Sequence, residues 1–312
     1  MFIKKRWVFL LFALFILFLI LLYIKPFKKS NVSFNFNPMH TEDTFSKNAE
    51  FVDTKGTFYD AYKKQSKYVS RKWEQYLHIY DKAFAPFISY NKPVTALEIG
   101  VENGGFLQIM SDYLPKGSQI IGLDIDERCA NLHFDNNIKL FIGDATDKKI
   151  IEKYFSNMKF DIIIDDASHI NSDVIKTFKE LFPKLNYGGV YIVEDTHTSY
   201  WDWYPEIGGG FKKEGSMIEY FKSLIDSLHF LYIKDFPSSL SADKINELKN
   251  YNQEIASITF YDSVVIVEKY YNKKERRFKN YYTKGEALIE SRFRKPPDIE
   301  CTKDSKFEKY YR

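Results

Sequence analysis

The sequence predicts an α/β fold: a doubly wound, Rossmann-like sheet of seven strands, preceded by a helical module and a single apolar anchor. Three observations predict it. Five short β-branched runs, at 94–99, 119–124, 138–142, 160–165 and 189–194, have the length and apolar character of buried parallel strands. Helical stretches separate most of them, notably 106–113 and 172–185. Two further runs, 255–261 and 263–269, meet at a tight turn at Asp262 and read as an antiparallel pair completing the sheet.

The chain begins with the anchor. Residues 7–24, WVFLLFALFILFLILLYI, are unbroken apolar sequence. A helix needs roughly 20 residues at about 1.5 Å each to span a bilayer core. Trp7 and Tyr23 stand at the ends of the run, where amphipathic rings favour the interface. A cleaved signal would be shorter and would end in small residues; here Lys25-Pro26-Phe27-Lys28-Lys29 follows. Basic residues flank both ends equally, so charge does not orient the span. The reading is a single-pass membrane protein with its catalytic domain in the cytoplasm, where the cofactor argued below is made.

Boundaries follow from composition: an anchor at 1–29, a polar linker at 30–56, a helical lead-in at 57–92, an α/β domain at 93–270 and a basic tail at 271–312. The lead-in carries Tyr62, Tyr68, Trp73, Tyr76, Leu77, Tyr80 and Phe84 at helical spacing. The segment reads as one or two amphipathic helices; the stripe reads first as core packing, while some of these residues could line a substrate site. The first thirty residues hold six excess positive charges and 269–312 hold seven; with +3 for the whole chain, residues 31–268 sit at −10. An acidic body argues against nucleic acid as a partner, while basic ends suit an anionic membrane surface. Two cysteines, Cys129 and Cys301, make neither a disulfide framework nor a cysteine zinc site.

In a doubly wound sheet the ligand lies at the carboxyl ends of the strands. The first strand exits through Glu98-Ile99-Gly100-Val101-Glu102-Asn103-Gly104-Gly105. Glycines permit a tight turn and close approach to a ligand. Val101 and Glu102 break the dinucleotide glycine spacing, and an acid before the glycine suits a cationic ligand better than a pyrophosphate. A sulfonium amino acid such as S-adenosylmethionine fits. The second strand exits through Asp124-Ile125-Asp126, where a carboxylate can accept from both ribose hydroxyls; Asp144 follows the third and could meet an adenine amine. The candidate cofactor residues are Glu98, Gly100, Asn103, Gly104, Asp124, Asp126 and Asp144.

The fourth strand exits through Asp165-Asp166-Ala167-Ser168-His169 and the fifth through Glu194-Asp195-Thr196-His197. Adjacent strands bring Asp166, Glu194 and Asp195 together. With no basic residue nearby in sequence, these carboxylates repel unless a cation neutralises them. Oxygen donors suit Mg²⁺, which could lower the pKa of a substrate hydroxyl. His169, three residues after Asp166, is placed to act as general base, so Asp166 and His169 are the candidate catalytic pair. His197 is the second candidate for that base role and also falls among the acceptor-side residues. Tyr200, Trp201 and Trp203 could stack on a sugar face, and Gly208-Gly209-Gly210 could hinge a lid carrying them.

FDIIIDDASH at 160–169 and GGVYIVEDTHTSYW at 188–201 resemble the metal-dependent sugar O-methyltransferases typified by the macrocin and mycinamicin enzymes. EIGVENGG at 98–105 and GLDID at 122–126 are similar to the cofactor half of that family, and the segment around Lys72-Trp73-Glu74-Gln75-Tyr76 and Tyr80 to its helical lead-in. The resemblance spans roughly residues 70–270. It implies a class I methyltransferase fold, S-adenosylmethionine and Mg²⁺ as cofactors, metal ligands at Asp166, Glu194 and Asp195, and a base at His169. The chain departs from the soluble macrolide-modifying relatives in its anchor, and its acceptor-selecting regions do not match theirs. A macrolide is therefore not implied; the expected acceptor is a sugar or glycan hydroxyl, possible forms including a lipid-linked one, and an oligomer is compatible with the sequence. Two other classes stay open: a membrane-tethered, non-catalytic cofactor-binding scaffold, against which the intact acid–histidine set argues, and a nicotinamide oxidoreductase, against which the glycine spacing argues. Within the enzyme class, a small-molecule hydroxyl is the alternative acceptor.

Overall fold

The structure is a computed structural model describing residues 57–65, 67–134, 137–203 and 207–272. The apolar run at 7–24, the linker at 30–56 and nearly all of the 271–312 tail lie outside the described residues. Among those described, no helix is long and apolar enough to cross a membrane.

Two helices come first, α1 (Thr57–Lys64) and α2 (Glu74–Tyr90). The α/β alternation then runs β1 (Thr95–Ile99), α3 (Gly105–Tyr113), β2 (Gln119–Asp124), β3 (Ile138–Ile142), α4 (Lys148–Phe155), β4 (Phe160–Asp165), α5 (Asn171–Leu181) and β5 (Leu185–Val193). Helices α6 (Met217–Ser223), α7 (Ile225–Leu228) and α8 (Ala242–Glu254) lead to β6 (Ile255–Tyr261) and β7 (Val264–Lys269). The seven strands lie in the order β3-β2-β1-β4-β5-β7-β6. Strands β1 to β5 pair in parallel, and β7 runs antiparallel to both β5 and β6. The seven strands and the closing antiparallel pair are those expected from the sequence.

Side chains alternate across the sheet with a period of two. Ala96, Ile120, Ile162, Ile164, Val190 and Ile192 face one layer, and Leu97, Ile121, Leu123, Ile163, Tyr191 and Val193 face the other. On the first face Phe58 of α1 is fully buried, its ring 5.3 Å from that of Tyr80, 5.6 Å from Phe84 and 5.0 Å from Tyr113. The lead-in is thus part of the core. On the second face Phe178 stacks on Phe182 and meets Phe221 edge to face, and Phe155 meets Phe160 edge to face. Burying such rings contributes about 25 cal/mol per Å² of apolar area removed from water.

Two elements differ from the sequence expectation. The helix expected at 172–185 ends at Leu181, and Phe182–Lys184 forms a single tighter turn. Pro183, which has no N–H to continue the helix, sits in that turn. Strand β5 starts at Leu185 rather than at 189, with a register irregularity near its start. The lead-in, readable as one or two helices, is two.

Because β1 is flanked by β2 on one side and β4 on the other, the chain direction of the winding reverses there. This leaves a crevice at the carboxyl edge, where ligands bind in such sheets.

Candidate active site

The ladder continues one residue past several strands. Gly100 N–H donates to Leu123 O at 2.9 Å, Asp166 N–H to Ile99 O at 2.9 Å, Glu194 N–H to Asp165 O at 3.0 Å and Gly143 N–H to Asp124 O at 2.8 Å. The exits are therefore held by the sheet itself. A cavity of about 960 Å³ opens along them. Gly100, Asn103, Asp124, Asp126 and Asp144 line one half; Asp166, His169, Glu194, Asp195, His197 and Trp201 line the other.

In the first half the backbone comes very close. A Cβ on Gly100 (φ +84°) would stand 2.2 Å from the Asp166 carbonyl oxygen, so only glycine fits between the exits of β1 and β4. Asp124 is 9% exposed. Its Oδ2 accepts from the Val101 and Glu102 N–H groups at 2.6 and 3.0 Å, and its Oδ1 from the Asp126 N–H at 2.8 Å. The carboxylate thus folds the glycine turn as well as facing the cavity. Asp126 forks onto Arg128, whose hydrogen bonds pull its carboxyl down to about 2. Asp144 accepts from Thr146 N–H at 2.7 Å and lines the cavity.

Two predicted cofactor residues sit elsewhere. Glu98 is 1% exposed and lies beneath the cavity rather than in its lining. Burial pushes its carboxyl well above the usual range, against the pull of Lys72, and its Oε2 has no hydrogen-bond partner. Gly104 (φ +78°) caps the start of α3, where a Cβ would strike the Phe134 ring at 2.6 Å.

The second half holds the acids. The sequence reading found no cation near them; the structure corrects this, because Lys72, far away in sequence, stands among them. Its side chain is 3% exposed, its Nζ lies 2.6 Å from Glu194 Oε1 and 4.0 Å from Glu98 Oε1, and it also contacts Asp166 Oδ2. Burial alone would lower the Lys72 pKa, but the Glu194, Asp166 and Glu98 carboxylates outweigh it and hold the ammonium charged. Burial raises the Glu194 carboxyl to about 7, with Lys72 opposing and Asp166 adding to the rise. Tyr80 Oη donates to Glu194 Oε1, and Tyr76 Oη to Asp195 Oδ1 at 2.6 Å. Burial, then the neighbouring acids, keep both phenols protonated.

Asp166, His169 and Asp195 bring ligand-type atoms within 4.8 Å of one another. His169 Nε2 is 3.4 Å from Asp195 Oδ2 and 3.8 Å from Asp166 Oδ1. Glu194 is 2% exposed and stands behind this group, turned to Lys72 and Tyr80.

The aromatic residues divide. His197 stacks on Trp73 with ring centroids 4.7 Å apart, and Trp201 meets His197 edge-on at 4.9 Å. His197 Nδ1 lies 3.9 Å from Asp195 Oδ1; burial lowers its pKa, as does His169, against Asp195. Trp201 lines the cavity, Trp203 is exposed beside it, and Tyr200 is exposed and outside the lining. Gly209 does not read as a loose hinge. A Cβ there would lie 2.7–2.8 Å from the Thr198, Ser199 and Trp201 carbonyls, so glycine is required for close packing.

Sequence reasoning allowed that some of the lead-in aromatics line a substrate site but singled out none of Trp73, Tyr76 and Tyr80, and it missed Lys72. Tyr76 and Tyr80 are four apart in α2, which puts them on one face of that helix; Lys72 precedes it in non-helical chain. That spacing was a readable signal, absorbed into the core stripe.

The chain is similar to known proteins. Residues 68–191 match the FtsJ-like methyltransferase family. The chain is 34% identical over 203 residues to mycinamicin VI 2''-O-methyltransferase of Micromonospora griseorubida, covering 61% of this chain and 47% of that one. Its homologues are sugar O-methyltransferases of the mycinamicin and macrocin type. Another, 8-demethyl-8-alpha-L-rhamnosyl tetracenomycin-C 2'-O-methyltransferase of Streptomyces olivaceus, is 31% identical over 211 residues, covering 64% and 52% of the two chains. The MycE methyltransferase of mycinamycin biosynthesis, solved with Mg, SAH and mycinamycin VI, superposes with a TM-score of 0.53 at 30% identity, covering 69% of this chain and 53% of its own. The chain spans about half the length of the curated relatives it matches most extensively.

Proposed function

We propose that this chain transfers the methyl group of S-adenosylmethionine to a hydroxyl of a sugar or glycan acceptor, with Mg²⁺ at the acid cluster. One observation carries the proposal. A single cavity joins a glycine-floored, acid-lined half to the group formed by Asp166, His169 and Asp195. The relatives are named for methyl transfer to sugar-bearing compounds, and MycE was solved with Mg and SAH, which supports the same donor and ion here.

The residues fit both groups. Asp124, Asp126 and Asp144 give the first half a negative lining suited to a ligand carrying a sulfonium and an ammonium. The Asp166, Glu194 and Asp195 carboxylates offer hard oxygens of the kind Mg²⁺ takes. When bound, the ion supplies Lewis acidity that makes an acceptor hydroxyl easier to deprotonate.

The chain's own residues supply the rest. The Gly100 turn and the Asp124 carboxylate fix the donor half, leaving no room for a side chain between donor and acids. His169 Nε2, close to Asp166 and Asp195, takes the hydroxyl proton. The acceptor oxygen then forms its bond to the methyl carbon as the carbon–sulfur bond breaks. Sulfur keeps the electron pair as the neutral thioether, and the proton ends on His169. Holding the two reactants in line is the main contribution of the cavity.

Acceptor recognition falls in this proposal to the wall of Trp73, His197 and Trp201, whose rings can cover a sugar face. The run at 7–24 would tether the enzyme to a membrane with its domain in the cytoplasm, and a lipid-linked sugar would then be within reach. Cell fractionation of the full chain and of a variant starting at residue 31 tests the tether; equal recovery of both in the soluble fraction argues against it.

Methyl transfer is tested with labelled S-adenosylmethionine and a panel of glycosides, with and without Mg²⁺. Asp166→Asn and His169→Ala should each cut labelled product by about 10²-fold or more while retaining donor binding. Full turnover in both variants would refute the mechanism.

A further inference from the structure

Three residues of the lead-in reach the three acids, and Glu194 is met by two of them. Lys72 lies two residues ahead of α2, and Tyr76 and Tyr80 follow at intervals of four. Tyr76 and Tyr80, four apart within α2, share one helix face, while Lys72 reaches the acids from the non-helical chain ahead of Trp73, which is extended. Lys72 Nζ reaches Asp166 Oδ2 and, at 2.6 Å, Glu194 Oε1. Tyr80 Oη donates to the same Glu194 oxygen. Tyr76 Oη donates to Asp195 Oδ1 at 2.6 Å and approaches Ser263 Oγ at 2.8 Å. Each acid is therefore held through a single named oxygen: Asp166 through Oδ2, Glu194 through Oε1, Asp195 through Oδ1. On the opposite side, Asp166 Oδ1 and Asp195 Oδ2 both turn toward His169.

We propose that Lys72, Tyr76 and Tyr80 form a clamp of positioning residues that grips one oxygen of each acid from behind and leaves the free oxygens of Asp166 and Asp195 to a divalent cation. This rests on the reading that the acids bind such an ion. Two physical requirements meet in the clamp. Clustered carboxylates repel one another at low exposure, and the buried ammonium and two hydroxyl protons offset that repulsion without occupying the mouth. A carboxylate free to rotate also loses orientation entropy on binding an ion; one already fixed by a hydrogen bond on its far oxygen does not. The packing of the lead-in on the sheet then becomes part of the site. Tyr76 is 1% and Tyr80 1% exposed, and Tyr80 packs its ring on Phe58, Phe84 and Phe106, so the hydroxyls are placed by the core itself.

The test compares Mn²⁺ affinity, read from the free-ion electron paramagnetic resonance signal, in the full chain and in Tyr76→Phe, Tyr80→Phe, Lys72→Met and Lys72→Arg. Thermal midpoints in chelator are measured in parallel. The phenylalanine variants keep the rings and remove only the hydroxyls, so a merely structural role predicts unchanged affinity. The clamp predicts a loss of about 10–100-fold in each, the usual effect of removing a partner behind a metal ligand, with S-adenosylmethionine affinity unchanged. Lys72→Met should lose affinity and Lys72→Arg should recover most of it. Phenylalanine variants that bind as the wild type does would overturn the clamp, and tighter binding in Lys72→Met would show the lysine to be a competitor for the site. If Tyr80→Phe does not fold, Tyr76→Phe, whose hydroxyl borders the cavity, decides alone. A wild-type chain that binds no Mn²⁺ defeats the metal reading beneath the clamp, an outcome distinct from wild-type binding that the variants leave unaltered.

Discussion

His169 and Asp195 face each other with Nε2 3.4 Å from Oδ2, and both hold left-handed backbone conformations, at φ 54° and 53°. Neither is a glycine, so each position is strained, and the strain sits where the two side chains converge at the acid cluster. The relationship separates a side chain's chemical value from its backbone's cost.

His169→Ala should lower turnover by about 10²–10⁴-fold, the usual contribution of a general base. His169→Gly should be equally inactive yet more stable than His169→Ala by about 1 kcal/mol, because glycine accepts the positive φ. Thermal midpoints of the two variants check this. A higher midpoint for the alanine variant would remove the claim of strain.

Gly100→Ala meets a harder limit. Its Cβ would overlap the Asp166 carbonyl in a left-handed backbone, so the exits of β1 and β4 must separate. A stability loss of about 2 kcal/mol is expected, with donor binding reduced as well. Gly215→Ala is the control: it shares a positive φ of 82° but meets no atom within 4 Å, and should leave donor binding intact. Chemical denaturation and calorimetry on both variants supply the comparison.

Phe58→Ala tests whether the lead-in belongs to the domain. The ring is fully buried against Tyr80, Phe84, Phe106 and Tyr113, and its truncation should cost about 3–5 kcal/mol. A loss below about 1 kcal/mol, measured by denaturant unfolding, would mean that α1 is an independent appendage.

Cys129 gives a pH-dependent probe of the donor half. Burial, with Asp124 and Asp126 adding, raises its thiol to about 11, and Sγ contacts the Glu102 carbonyl. The thiolate is the reactive form, so alkylation should be slow at pH 8 and quicken as pH rises toward 11. In a Cys301→Ser background, S-adenosylmethionine should slow it further, because Cys129 lines the cavity. A rate independent of the donor would place the donor elsewhere.

Much of the fold was legible because its strands are buried on both faces and therefore read as continuous apolar runs, as in Ile162-Ile163-Ile164. The acids at strand exits were legible for a related reason: a polar residue directly after such a run marks where the strand leaves the sheet. The clamp was not read. Tyr76 and Tyr80 have apolar rings with one polar atom each, and periodicity registers the ring while the hydroxyl decides the role. Lys72 was missed because its partner Asp166 is 94 residues away and only the docking of the lead-in brings them together. The helices after β5 were equally opaque: α6 and α7 are short, at seven and four residues, and sit in a stretch without strong periodicity.

The measurement that bears most directly on the central claim is calorimetric titration of the full chain with S-adenosylmethionine, beside the Asp124→Ala variant. The account predicts micromolar-range binding to the wild type and markedly weaker binding to the variant, since Asp124 both faces the cavity and folds the Gly100 turn. A folded wild-type chain that gives no heat of binding would contradict the account.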